Sequence, residues 1–104
     1  MGCYVYSSGL LKPKADTEKV LKILNEYNYF EDVEVTDDVI RVGNYGKYYE
    51  EDLKSLLTAL KPYIKEGEIV YNGEDDSYWK HKLVGGKWIE YEGFIAYKKI
   101  GPVG

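Results

Sequence analysis

Two short alternating segments joined by a two-residue turn constrain this fold more than any other feature of the sequence. Residues 33–36 read Val-Glu-Val-Thr, residues 39–42 read Val-Ile-Arg-Val, and Asp37-Asp38 lies between them. Such a pattern is typical of a β-hairpin, and the turn fixes which residues pair. The pairing puts four apolar side chains on one face, which we expect to be buried: Val33, Val35, Ile40 and Val42. A slip by one residue would turn all of them to the opposite face.

Hydrophobic spacing predicts the other elements. The first half should contain a strand over residues 2–9, a helix capped by Asp16, and a Gly- and Tyr-rich loop over residues 43–49. The second half should contain a helix from Glu50 that Pro62 kinks or ends near Lys61, a left-handed cap at Gly67, and strands over residues 68–71, 78–84, 87–92 and 94–97. This order predicts an α+β fold: an antiparallel sheet with two helices on one face, on the split βαβ or ferredoxin-like plan, extended by a C-terminal β-hairpin.

The hairpin over residues 78–92 turns at Gly85-Gly86, a favourable two-residue turn. One of its faces collects Trp79, His81, Leu83, Trp88, Glu90 and Glu92, and the other collects Tyr78, Lys80, Lys82, Val84, Ile89 and Tyr91. Neither face is purely apolar, so the sequence leaves the buried face open. Two Trp side chains and a Leu favour the first.

Composition bounds the function. The 104 residues predict a single domain over residues 1–104, and 14 basic against 18 acidic residues argue against non-specific binding of nucleic acid. No apolar run approaches the ~20 residues of a membrane span, and no signal peptide is recognisable, so we expect a cytoplasmic protein without membrane contact. One cysteine, Cys3, excludes an intramolecular disulfide, and one histidine, His81, argues against a zinc site.

No motif in the chain predicts catalysis. In the expected hairpin His81 lies across from Glu90, and a carboxylate in that position can orient a histidine as a general base. No third catalytic residue is recognisable beside this pair. The acidic run at residues 74–76 lacks the spacing of an EF-hand, and no phosphate-binding glycine loop occurs. We therefore expect no enzyme, no metal and no cofactor, and we interpret the His81–Glu90 pair as structural.

Acidic clusters and tyrosines suggest a binding surface. The aromatic residues are 12 Tyr, 2 Trp and 2 Phe, and Tyr is enriched in the cores of protein interfaces. The candidate binding residues lie in two acidic turns and the intervening loop: Asp37, Asp38, Tyr45, Tyr48, Tyr49, Glu74, Asp75 and Asp76. Their charge favours a protein partner with a basic surface, although such acids also serve solubility. The alternative is a small-molecule module with an aromatic pocket for a nucleotide-like ligand, lined by Trp79, His81, Trp88 and Glu90.

The last third carries a further pattern: Gly67-Glu68-Ile69-Val70-Tyr71, Gly73-Glu74-Asp75, Trp79, Gly86, Glu90 and Gly93-Phe94-Ile95-Ala96-Tyr97. Together with Met1-Gly2-Cys3-Tyr4 and Gly9, it resembles a signature of small uncharacterised proteins from phages, mobile elements and some bacterial genomes. The resemblance implies a small accessory protein that binds and blocks a host protein, as an anti-CRISPR does. We accordingly expect a non-catalytic binding protein, either a monomer or a small homo-oligomer.

Overall fold

A computed structural model describes residues 4–93. Its elements are β1 (Tyr4–Pro13), α1 (Thr17–Tyr27), β2 (Asp32–Thr36), β3 (Val39–Lys47), α2 (Glu50–Leu60) with a 3-10 turn (Lys61–Tyr63), β4 (Ile64–Gly73), β5 (Tyr78–Val84) and β6 (Lys87–Gly93). The strands form one sheet in the order β2-β3-β1-β4-β5-β6. Every neighbouring pair is antiparallel, so the α+β class is confirmed.

Both helices pack on the same face of this sheet. Their apolar stripes join one buried cluster with the inward side chains of β1, β3 and β4. On β1 the alternation is strict: Val5 and Leu11 are buried in that cluster, whereas Tyr4 and Tyr6 point to the other side and are exposed. Each helix has 11 residues, and neither is long and apolar enough to cross a membrane.

The predicted N-terminal cap of α1 at Asp16 and the predicted end of α2 near Lys61 are confirmed. The Asp16 side chain accepts a hydrogen bond from the Lys19 N–H at 3.0 Å and begins α1. Asn28, in the left-handed conformation at φ 50°, ends α1. Pro62 lies in the 3-10 turn that follows α2, as its missing N–H requires.

The first hairpin has the predicted register, but its burial differs from the prediction. Val33 pairs with Val42, and Val35 pairs with Ile40. Ile40 is 0% and Val42 4% exposed, yet Val33 is 40% and Val35 43% exposed. The reason is that β2 is an edge strand, and none of its residues belongs to the buried cluster under the helices. The expectation that all four side chains are buried was therefore wrong for Val33 and Val35.

Three strands are longer than the sequence predicted. β1 continues through Gly9 to Pro13, β3 includes residues 43–47 of the expected loop, and β4 begins at Ile64. Gly67 is thus a strand residue rather than a left-handed cap. A Cβ on Gly67 would lie 2.7 Å from Cη2 of Trp88, so this glycine makes room for the indole of the outer hairpin. The strand expected at residues 94–97 lies outside the described residues.

The outer hairpin buries the face with the two tryptophans. Gly85 and Gly86 have φ values of 58° and 77°, which the tight turn requires. Of the hairpin residues, His81 is buried, and Trp79, Leu83 and Trp88 pack against the core.

The contrast between Ile40 and Val35 gives a direct test of this burial pattern. Ile40→Ala should lower the free energy of unfolding by about 2–5 kcal/mol, because it leaves a cavity in the core. Val35→Ala on the edge strand should change it by roughly 0.5 kcal/mol. Urea unfolding of both variants measures the difference, and equal losses would contradict the partly exposed position of β2.

Candidate functional site

The sheet face opposite the helices has no covering layer among residues 4–93 and carries large apolar side chains. The register brings eight of them to this face, each between 38% and 58% exposed: Tyr4, Tyr6, Leu10, Tyr45, Val70, Val84, Ile89 and Tyr91. We call this surface the open face. Exposed apolar patches that extend over several strands mark interaction sites more often than scattered single residues do.

Three tyrosines form a cluster at one end of the open face. Tyr6 pairs with Tyr45 across β1 and β3, and their ring centroids are 4.2 Å apart. The Tyr4 ring lies 5.5 Å from that of Tyr45. The Tyr45 hydroxyl donates a hydrogen bond of 2.6 Å to Oε1 of Glu74. This hydrogen bond to a carboxylate raises the pKa of Tyr45 to about 12, so the hydroxyl stays protonated at neutral pH.

The two predicted acidic turns lie at opposite ends of the sheet. The Glu74 N–H donates to the Tyr4 carbonyl at 3.1 Å, which places the turn at residues 74–76 beside the tyrosine cluster. At the other end of β1, Leu11 pairs with Ile40, so Asp37 and Asp38 lie near Pro13. Ten residues of strand separate these ends by about 30 Å. The two turns therefore do not form one acidic patch.

The two acidic turns have different environments. Asp37 and Asp38 line a cavity of about 550 Å³ together with three lysines, Lys12, Lys14 and Lys65. At the other turn, the Asp75 carboxylate accepts a hydrogen bond from the Ser77 N–H, and hydrogen bonding to Ser77 lowers the pKa of Asp75. Only the turn at residues 74–76 combines acidic side chains with the exposed tyrosines.

Tyr48 and Tyr49 have different surroundings from those of Tyr45. Tyr48 lies on the helix-covered side, where its ring makes edge contacts with Tyr71 and Trp79. Its hydroxyl accepts a hydrogen bond from Nε1–H of Trp79 at 3.3 Å, and burial raises its pKa. Tyr49 is exposed and directly precedes α2. Of the three predicted tyrosines, the structure brings Tyr45 alone to the open face.

A hydrogen-bonded chain of three side chains lies on the helix-covered side. His81 pairs with Glu90 as predicted, and its Nε2 is 2.9 Å from Oε1 of Glu90. On the other side of the ring, Nδ1 is 2.8 Å from the Tyr71 hydroxyl. Because a carboxylate only accepts, Nε2–H donates to Glu90, and Nδ1 of the neutral ring then accepts from the Tyr71 hydroxyl. Burial raises the pKa of Tyr71, so this hydroxyl keeps the proton that it donates.

The third member, Tyr71, was not among the predicted site residues. The sequence pattern predicts a strand over residues 68–71 but does not show that this strand pairs with β5. In the structure Ile69 pairs with His81, so Tyr71 lies diagonally across from the imidazole on the same face. The available signal was the turn cluster at residues 72–76, which makes β4 and β5 neighbours.

A cavity of about 420 Å³ lies between α2 and the outer hairpin. Its lining includes three of the four predicted pocket residues, His81, Trp88 and Glu90, with Lys54 and Glu50 from α2. Nε1–H of Trp88 donates to the Leu57 carbonyl at 2.8 Å. The fourth residue, Trp79, stacks on Tyr71 outside this lining, with a centroid distance of 5.3 Å. Within residues 4–93, no group of three His, Cys, Asp or Glu side chains is arranged to hold a metal ion.

Removing the Tyr71 hydroxyl tests the importance of the three-residue chain. Tyr71→Phe should lower the free energy of unfolding by about 1–3 kcal/mol, because it leaves Nδ1 of a buried imidazole without a partner. Tyr91→Phe, on the open face, is the matched control and should change it by roughly 0.5 kcal/mol or less. Denaturant unfolding of the two variants measures both values. A Tyr71→Phe variant as stable as the control would show that the hydrogen bond to His81 contributes nothing.

No protein-family model, curated protein or solved structure matches this chain. Its function is therefore inferred from the geometry and charge of its own residues.

Proposed function

We propose that this chain is a non-catalytic binding protein that holds a protein partner on the open face. The observation that carries the proposal is the tyrosine cluster at residues 4, 6 and 45, in which the Tyr45 ring lies beside those of Tyr4 and Tyr6 and the three residues are 42–58% exposed. A Tyr side chain provides apolar contact area and a hydrogen-bonding tip with only two side-chain torsions to fix. Such clusters supply the central contacts of protein interfaces.

The charge beside the cluster indicates the kind of partner. Glu74 is held by the Tyr45 hydroxyl, and Asp75 and Asp76 follow it in the same exposed turn. Two other carboxylates of the open face are paired with lysines, in the ion pairs Lys12–Glu66 and Lys80–Glu68. A basic patch on the partner, placed over the turn at residues 74–76, would complement this distribution and speed encounter.

The three-residue chain supports a role without catalysis. Both ring nitrogens of His81 are hydrogen-bonded, one to Tyr71 and one to Glu90, and the residue is 6% exposed. A general base needs a free nitrogen lone pair within reach of a substrate proton, which this arrangement does not offer.

The biological setting that we propose follows from the sequence signature in the last third of the chain. The signature resembles phage and mobile-element proteins, so the partner would be a host protein that this chain blocks in the cytoplasm, in the manner of an anti-CRISPR or another anti-defence inhibitor.

We also propose the split βαβ, ferredoxin-like plan for the first four strands. It is supported by their order β2-β3-β1-β4, with one helix after β1 and one after β3.

Partner capture with paired variants tests the open face. A tagged protein is used as bait in a lysate of a candidate bacterial host, and the retained protein is identified and quantified. Combining Tyr6→Ser with Tyr45→Ser should reduce its recovery by about tenfold or more, since interface aromatics dominate binding energy. Tyr63→Ser removes an exposed tyrosine from the turn after α2 and should leave recovery unchanged.

The acidic turns supply a second matched pair for the same assay. Changing Asp75 and Asp76 to Asn should weaken capture at low salt and less so at high salt, because screening removes long-range attraction. The same change at Asp37 and Asp38, at the far end of the sheet, should have little effect. Both variants retain the turns, because Asn accepts the positive φ that Asp37 and Asp76 adopt. Equal recovery by all four variants and the parent would contradict the proposal.

The second candidate function is small-molecule binding in the cavity beside α2. It is favoured by the meeting of His81, Trp88, Glu90 and Lys54 around one space of about 420 Å³, since polar groups that converge on an aromatic wall are typical of ligand sites. A nucleoside monophosphate at about 100 times its Kd should stabilise the protein by roughly 2.7 kcal/mol. Thermal unfolding with such nucleotides measures this, and Lys54→Ala should reduce the gain. No stabilisation by any of them would remove this candidate.

A further inference from the structure

Part of the edge of β3 has no strand beside it. β2 pairs with β3 only as far as Asp32 and Gly43, whereas β1 continues along β3 to Lys47. Residues 44–47 therefore have a neighbour on the β1 side and, within the part of the chain that the structure describes, no strand on the β2 side. An unpaired edge of this kind is able to accept an additional strand.

The direction of the backbone groups on this edge follows from the hairpin. Thr36 and Val39 flank the two-residue turn, so their backbone groups bond to each other. The backbone N–H and C=O groups of successive residues in an antiparallel strand point alternately to its two neighbours. In β3 the backbone groups of the odd-numbered residues therefore point to the β2 side. The N–H and C=O of Tyr45 and Lys47 thus point outward. Among residues 4–93, no backbone hydrogen bond outside the strand ladders involves them.

A groove lies beside this edge. Its volume is about 410 Å³, and its other wall is formed by the end of α1, the segment after it and the start of α2: Tyr27, Asn28, Tyr29, Glu31, Tyr49 and Asp52. Gly46 forms part of its floor. A Cβ on Gly46 would contact only the Asn44 side chain, at 4.0 Å, so the space above this glycine is open.

The wall of the groove favours a positive charge. Glu31 and Asp52 are exposed on it, and the C-terminal end of α1, with no basic residue in its last turn, adds partial negative charge. The tyrosine rings provide faces that attract Lys and Arg side chains. Lys47 also lines the groove, but its position in the strand is on the open-face side, opposite the wall with the two acids.

We propose that this groove binds an extended basic peptide segment, which adds to the edge of β3 in line with β2. About four peptide residues would span the free edge. The peptide backbone would bond to Tyr45 and Lys47, and alternate side chains, Lys or Arg, would face the tyrosines and Asp52. This inference goes beyond the proposed function, because it concerns the sheet edge and holds whether or not the open face binds a partner.

The test uses a capped synthetic peptide of about eight residues that alternates valine with lysine. Binding should slow hydrogen exchange at the amides of Tyr45 and Lys47, because both become hydrogen-bonded. A peptide with glutamate in place of lysine should bind about tenfold more weakly or worse. Fluorescence anisotropy of labelled peptides gives the affinities, and mass spectrometry or NMR gives the exchange.

Protein variants separate backbone pairing from side-chain effects. Lys47→Pro removes an outward N–H on an edge strand, where proline is tolerated, and should weaken binding by roughly tenfold. Lys47→Ala keeps the N–H and should change the affinity by less than about twofold. Gly46→Leu should block the groove, since its side chain occupies the open floor. Circular dichroism confirms that each variant is folded.

N-methylated peptides keep the test decisive if Lys47→Pro does not fold. Two peptides are compared, one N-methylated at the odd-numbered residues and the other at the even-numbered residues. The peptide whose methyl groups face β3 should not bind, whereas the other should bind like the unmethylated peptide. The proposal is overturned if no peptide binds at about 1 mM or if the two methylated peptides bind alike. It is also overturned if amide hydrogen exchange slows on β6 instead of at Tyr45 and Lys47. Equal binding of the glutamate peptide would overturn the proposed basic character of the ligand.

Discussion

The pairing of β1 on both sides is the interaction on which the rest of the structure depends. β1 lies between β3 and β4 and pairs with each of them along most of its ten residues. Gly9 allows close contact with β4, since a Cβ there would lie 2.6 Å from the Glu68 carbonyl oxygen. With β1 fixed, strand alternation sends Val5 and Leu11 under the helices and the tyrosines to the open face.

Features with local causes were predictable from the sequence. The two-residue turns at Asp37-Asp38 and Gly85-Gly86 fix the pairing of their hairpins, so the Val35–Ile40 and His81–Glu90 partners follow without knowledge of the rest. The Asp16 cap and the stop at Pro62 are equally local. Alternation within the last hairpin also indicated which face carries the tryptophans.

Features that depend on distant pairing were not predictable. Burial of Val35 depends on how far the helices extend over the sheet, which no local pattern encodes. Residues 43–47 have the composition of a loop, and only their pairing with β1 makes them a strand. The separation of the acidic turns and the role of Tyr71 likewise depend on strand pairs that are distant in sequence. The candidate site was therefore predicted in its residue types and only partly in its arrangement.

The position of the two tryptophans has a spectroscopic consequence. Trp79 stacks on Tyr71, and Trp88 bonds to the Leu57 carbonyl, so both indoles of the chain lie on the helix-covered side. The open face and the β3 groove contain tyrosine as their only chromophore within residues 4–93. Tryptophan emission therefore reports on unfolding and on the cavity beside α2, and not directly on the two exposed surfaces. Tyrosine signals combine both sides, because Tyr48 and Tyr71 lie beside Trp79 under the helices. The protein thus carries an intrinsic optical probe that is specific to its helix-covered side.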